Sequence, residues 1–186
     1  MRLFVAFEIP GAVRAQMASL VAELRPLAPA IKWVRAENLH VTLKFLGETK
    51  EHRLDAIRAA LARIPARAAV ELRFRGLGFF PNERRPRVFW AGIETLPALP
   101  PLADEIQAAM AAVGFPREDR AFAPHLTLAR LEGARLTEAV HTAIEQHADQ
   151  EFGAMRATEF HLIDSKLKST GAEYTTVQTF RFASES

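Results

Sequence analysis

Cysteine is absent from the 186 residues, which excludes disulfides, thiolate nucleophiles and thiolate metal sites together. Long apolar runs are missing too. Nothing approaches the roughly 18 residues of a membrane-spanning helix, and the opening "MRLFVAFEIPGAV" reaches Glu8 and Pro10 too early for the apolar core of a signal peptide. A soluble, cytoplasmic protein that makes no membrane contact is expected. An excess of charge of one sign is also lacking, because 24 basic and 22 acidic side chains leave a formal +2. The surface as a whole is therefore no broad electrostatic glove for nucleic acid, and an anionic ligand has to be held locally. Lysine is scarce, at five against 19 arginines. The guanidinium fork suits phosphate oxygens, but an alanine-rich chain suggests codon bias as an equally good source of the excess.

What is present reads as one α+β domain over 1–186. "RLFVAFEI" is a β-branched and aromatic strand closed by "PG", and "AVRAQMASLVAELRPL" has the helical apolar period until Pro26. "IKWVR" and "HVTLKFLG" read as a further pair of strands, followed by a helix in "EHRLDAIRAALARI". "VELRFRGLGFF" and "RVFWAGI" read as strands joined by the exposed, arginine-rich loop "PNERRP". A helix in "PPLADEIQAAMAAVG", a strand in "HLTLAR" and a helix in "LTEAVHTAIEQHA" come next. "EFGAMRATEFHLIDSKL" and "EYTTVQTFRF" form a closing pair of strands. Mostly antiparallel sheets with helices packed outside are expected.

Two stretches echo each other. In "RAENLHVTLKFLG" an Arg at 35 is followed by His40 and Thr42; in "RAFAPHLTLAR" Arg120 is followed by His125 and Thr127 at the same spacing. The offset of 85 carries Arg35 to Arg120, His40 to His125, Thr42 to Thr127 and Leu43 to Leu128, and also aligns Phe4 with Phe89 and Ala6 with Ala91. An old duplication of a strand-helix-strand unit leaves this trace. Two such halves usually pack about a pseudo-twofold axis, which would bring the two His-x-Thr strands face to face.

In a strand, residues two apart share a face, so His40 with Thr42 and His125 with Thr127 point into one cleft while Val41, Leu43, Leu126 and Leu128 point into the core. Two imidazoles supply an acid and a base, and two hydroxyls supply donors for non-bridging phosphate oxygens. A single His-x-Thr is usually a packed core pair; the second copy in register turns the pair into a site. A zinc centre is the rival reading, but no His-Glu-x-x-His, His-x-His or Cys supplies a third ligand. No metal or other cofactor is expected. Arg120, beside a Phe and a Pro, is a candidate phosphate ligand, whereas Arg35 pairs with Glu37 equally well. His161 could approach the cleft as a supporting residue, and His52, His141 and His147 read as solvated.

The paired "HVTL" and "HLTL", with "KFLG" after the first and "R-x-F-x-P" before the second, resemble the 2H phosphoesterase superfamily, and within it the LigT/ThpR group of RNA 2′,3′-cyclic phosphodiesterases once called 2′-5′ RNA ligases. "LFVAFEIP", "FPNERRPRVFWAGI" and "LIDSKLKSTGAEYTTV" extend the resemblance over nearly the whole chain. It implies a bilobal fold of two intertwined lobes, two sheets about a pseudo-dyad, and metal-independent opening of a 2′,3′-cyclic phosphate at an RNA end or on a small nucleotide, leaving a 2′-phosphate. The chain is expected to act as a monomer. His40 and His125 are then catalytic, with Thr42, Thr127 and Arg130 near phosphate and Phe45 stacking on a nucleobase. A non-catalytic module that binds nucleotide or RNA ends in the same pocket is the alternative.

Overall fold

A computed structural model describes residues 1–94 and 96–182. Among these residues there are two wholly antiparallel sheets and four α-helices. Strands β1 (Arg2–Glu8), β3 (His40–Glu48), β8 (Glu159–Lys168) and β9 (Gly171–Arg181) make one sheet in the order β3-β1-β8-β9. Strands β2 (Lys32–Trp33), β4 (Val70–Phe80), β5 (Val88–Glu94), β6 (His125–Arg130) and β7 (Glu151–Ala157) make the other in the order β2-β6-β5-β4-β7. The α+β, two-sheet reading of the sequence holds, with two corrections to strand pairing. "IKWVR" yields only the two-residue β2, which pairs with β6 of the second sheet and not with the neighbouring motif strand. "EFGAMRATEFHLIDSKL" is two strands rather than one, since β7 edges the second sheet and β8 crosses to the first. Hydrophobic alternation marks a strand but not its partner, so both errors concern pairing.

Helix α1 (Gly11–Leu24) buries Val13, Met17, Leu20, Val21 and Leu24, the stripe its sequence period implies. It packs on β7 and on α4 (Glu138–Glu145), whereas α3 (Leu99–Ala112) packs on β3, β4 and α2 (Leu54–Ala62). Along β1, the odd residues Leu3, Val5 and Phe7 enter the main core that these helices cover. The even residues Phe4 and Ala6 face the other way, with Ile163 and Tyr174. That second face is the one on which His40 and Thr42 stand.

Each motif strand carries an extra residue immediately after its Thr, and β3 carries a second at Leu46, between the Phe4–Phe45 and Leu3–Gly47 pairs. Against β1, Val5 pairs with Lys44 and Ala6 with Thr42, so Leu43 is extra. Against β5, Phe89 pairs with Ala129 and Trp90 with Thr127, so Leu128 is extra. A bulge of this kind reverses the alternation beyond it. Burial follows the same order in both strands, from a half-buried His to two successive buried residues and then an exposed one, which is Phe45 in the first and Arg130 in the second.

The pairings also correct the register of the echo. The offset of 85 between β3 and β6 stands, but the residues paired to them shift by 84, so that Val5 corresponds to Phe89 and Phe7 to Ala91. Phe4, aligned with Phe89 by sequence, lies on the cleft face against His40, whereas Phe89 is buried against Phe79 and Trp33.

Gly92 pairs with His125 and is required there. The slip in register between Phe74 and Leu77 brings the Arg75 carbonyl over it, and a Cβ at Gly92 would lie 2.4 Å from that oxygen. Gly92→Ala is expected to cost about 1–3 kcal/mol, as overpacking against backbone does, and to lower the midpoint of thermal unfolding. Gly11→Ala, where a Cβ meets nothing within 4 Å, should leave the midpoint unchanged or raise it.

Candidate active site

Strands β3 and β6 come from different sheets and pack against each other, and the Arg130 charge acts on both His40 and His125, which sets the two His-x-Thr motifs side by side. Of their four polar residues, Thr42 and His125 are the ones that line a common cleft. Each histidine is held by the backbone two residues before it. His40 Nδ1 lies 2.6 Å from the Asn38 carbonyl oxygen and His125 Nδ1 lies 2.8 Å from that of Ala123. A carbonyl can only accept, so Nδ1 carries the proton and donates it, and Nε2 is left for chemistry in both rings.

The rings differ in their neighbours. His40 stacks on Phe4 at 4.6 Å and meets the edge of Tyr174 at 5.2 Å, whereas His125 meets only the edge of Phe80, at 4.8 Å. Burial lowers the pKa of both imidazoles from the ordinary value of 6.5, against the upward pull of the backbone carbonyls, and the Arg130 guanidinium lowers both further. Arg14 adds to the effect at His40. A single cation acting on both rings makes them one electrostatic unit.

The cleft has a volume of about 740 Å³, and Thr42, Phe45, Phe80, Arg87, Arg120 and His125 are among the residues that line it. Phe45, 57% exposed, is thus a cleft wall and no part of the core, because the bulge at Leu43 turns it outward. The equivalent bulge at Leu128 exposes Arg130, and Thr127 shares a face with His125. The bulge sends Lys44 inward instead. It is 3% exposed, and its Nζ donates to the Pro116 carbonyl at 2.7 Å and lies 3.9 Å from a Glu118 oxygen. That lysine fastens the segment bearing Arg120 to the opposite sheet.

Of the two echoed arginines, Arg120 lines the cleft. Arg35 donates to the Thr170 carbonyl and pairs with Glu37, so it secures the β8–β9 turn. His161 lies on the cleft face but shares a hydrogen bond of 3.0 Å with Thr179, and its Nε2 is 3.7 Å from Glu159. His147 and His141 are not simply solvated: His147 is 2.9 Å from Glu23, and His141 is 3.2 Å from Glu83 of the arginine-rich loop. Tyr174 and Arg87 were missed by sequence reasoning. Tyr174 could have been singled out as the only tyrosine in the chain, but nothing in its spacing connects it to His40. Among the described residues, no three His, Asp or Glu side chains are grouped as a metal would require.

Comparison with known proteins identifies the family. A family model described as LigT like Phosphoesterase matches residues 7–90 and 94–174. An Archaeoglobus fulgidus protein named RNA 2′,3′-cyclic phosphodiesterase is 33% identical over 180 residues, covering 97% of this chain and 99% of that one. The crystal structure of a Thermus thermophilus protein superposes with a TM-score of 0.81 at 34% identity, covering 98% of both chains. E. coli LigT complexed with 3′-AMP gives a TM-score of 0.80 at 28% identity, covering 97% of both. The duplicated motif, the two antiparallel sheets and these matches over nearly the full length together establish that the chain belongs to the LigT-like phosphoesterase family.

Proposed function

We propose that this chain is an RNA 2′,3′-cyclic phosphodiesterase that opens the cyclic phosphate to a 2′-phosphomonoester without a metal, using His40 and His125 as acid and base. The observation that carries the reading is the matched anchoring of the two rings. Both Nδ1 atoms are committed to a backbone carbonyl, so each Nε2 can only accept a proton when neutral or donate one when charged. An acid and a base of the same chemical type then differ only in protonation state.

The atoms balance as follows. Water attacks phosphorus in line with the 3′ oxygen and gives a proton to Nε2 of neutral His125. The bond from phosphorus to the 3′ oxygen breaks as protonated His40 delivers its Nε2 proton to that oxygen. The products are a 2′-phosphomonoester and a free 3′ hydroxyl, and solvent returns the two histidines to their starting states. Thr42, Thr127 and Arg130 hold the non-bridging oxygens, where charge develops. Phe45 offers a face to the terminal base, and Arg120 lies further along the same wall. The relatives' names and the 3′-AMP complex of E. coli LigT support a nucleotide substrate of this class.

Three outcomes test the reading. Activity on a cyclic nucleotide should survive excess EDTA; loss on chelation that zinc or magnesium restores would reject the metal-free mechanism. His40→Ala and His125→Ala should each lose about 10²-fold or more in turnover, as expected for a removed proton-transfer partner, while keeping wild-type circular dichroism. With a substrate whose 3′ bridging atom is sulfur, a leaving group that needs little protonation, His40→Ala should recover and His125→Ala should not. The reverse pattern would exchange the two roles.

The pH dependence follows from the lowered pKa values. A lowered pKa keeps an imidazole neutral to lower pH, so in the free enzyme the singly protonated pair is populated below the ordinary 6.5. The bell of kcat/KM should therefore lie on the acid side of that value, with limbs that belong to the pair. Arg130→Gln removes a cation that lowers both groups and should move both limbs to higher pH. Proton NMR titration of the two imidazoles checks the same shift, and an unmoved profile would show that Arg130 does not act on the pair.

A further inference from the structure

Beyond His125 the cleft continues into a second cavity of about 540 Å³. The two share Phe80, Phe122, Ala123 and His125, so the histidine stands at the junction between them. The second cavity exists because the sequence strips side chains from its floor. Gly76 and Gly92 line it, and Gly78 lies under Trp90, where a Cβ would come within 2.2 Å of the six-membered ring. The other half is built differently at the corresponding place. The residue equivalent to Gly92 by strand pairing is Glu8, which fills the position with a carboxylate and lines a separate, smaller cavity of about 390 Å³ with His161.

The walls select for a ligand class. Trp90 supplies an aromatic surface beside Phe80, with ring centroids 5.2 Å apart, and its Nε1–H is buried without a protein acceptor. Arg75 also lines the cavity, but its charge is already balanced by Glu94 at 4.0 Å and Glu151 at 3.7 Å. Glu94 and Asp149 complete the lining. Such a wall repels phosphate, and it accepts hydrogen bonds from the ring N–H and exocyclic amino groups of a base. Aromatic surface and carboxylate acceptors describe a nucleobase site, and the volume is in the range of small-ligand pockets.

We infer that this cavity receives the base of the nucleotide on the 5′ side of the cyclic phosphate, so that an RNA 3′ end of two or more nucleotides is turned over in preference to a free cyclic mononucleotide. The inference rests on the proposed phosphodiesterase chemistry for its placement. With the reacting phosphate at His125 and the terminal base on the Phe45 wall, the adjoining nucleotide is the next base that the chain can deliver to the far side of that histidine.

Two measurements test it. The first compares kcat/KM for adenylyl-adenosine 2′,3′-cyclic phosphate and adenosine 2′,3′-cyclic phosphate. The dinucleotide should be favoured by about tenfold, the order expected for one stacked base, and Trp90→Leu should bring the ratio towards one. The second needs no turnover and no Trp90 variant. The chain has two tryptophans, so Trp33→Phe leaves Trp90 as the sole indole. Adenylyl-adenosine ending in a 2′-phosphate should quench its emission, and adenosine 2′-phosphate should leave it essentially unchanged. Equal kcat/KM for the two substrates, or equal quenching by the two products, would overturn the subsite. Quenching by the dinucleotide alone, in a protein that hydrolyses neither substrate, would retain the subsite and overturn the proposed activity.

Discussion

The cleft depends on one extra residue in each motif strand. Regular alternation from His40 would send Lys44 into the cleft and Phe45 into the core; the unpaired Leu43 reverses both. Leu128 does the same to Ala129 and Arg130. The reversal has two products at once. On the cleft side it exposes an aromatic face in one half and a guanidinium in the other. On the core side it buries Lys44, whose ammonium would be costly there without a partner; the Pro116 carbonyl supplies one. The bulges therefore shape the site and fasten the loop that closes it.

Holding both imidazoles by Nδ1 settles their tautomers but not their charge, which burial and Arg130 press towards the neutral form. This pressure suits the base and opposes the acid. A bound phosphodiester anion offsets it, because its negative charge lies near the same guanidinium and favours the protonated ring. On the proposed chemistry, the acid becomes fully competent when substrate arrives. Tyr174 and Phe4 close around His40 alone, which keeps water from competing for its proton and makes that ring the more sheltered of the two.

Much of this was legible in the sequence, for identifiable reasons. The α+β class, four helices and a pair of matched motifs followed from apolar periods and from spacing that local chemistry imposes on His40, Thr42, His125 and Thr127. Features that depend on pairing across the chain were hidden. The one-residue bulges have no sequence signature, so the face of Phe45 stayed open, and alignment by a constant 85 misplaced Phe4 and Ala6 by ignoring the strand opposite. Arg35 and Arg120 occupy equivalent places in the echo, and the neighbouring Phe and Pro favour Arg120; what spacing could not show is that the β8–β9 turn, far along the chain, takes up Arg35 while Arg120 lines the cleft.

The departures from symmetry matter as much as the duplication. A site with a true twofold axis would bind a cyclic phosphate equally well in two orientations, with the two histidines exchanging roles between them. Here each equivalent position holds a different chemistry: Phe45 against Arg130, Ala6 against Trp90, Glu8 against Gly92. On the proposed chemistry, a stacking face on one side and a cation on the other give the base and the phosphate oxygens distinct destinations. Glycine as the counterpart of Glu8 leaves the larger of the two cavities on the His125 side of the dyad. Each substitution adds to the free-energy difference between the two orientations without touching the His-x-Thr pairs. If the proposed chemistry holds, the duplicated strands keep identical His-x-Thr groups while the residues beside them decide which histidine meets the leaving oxygen.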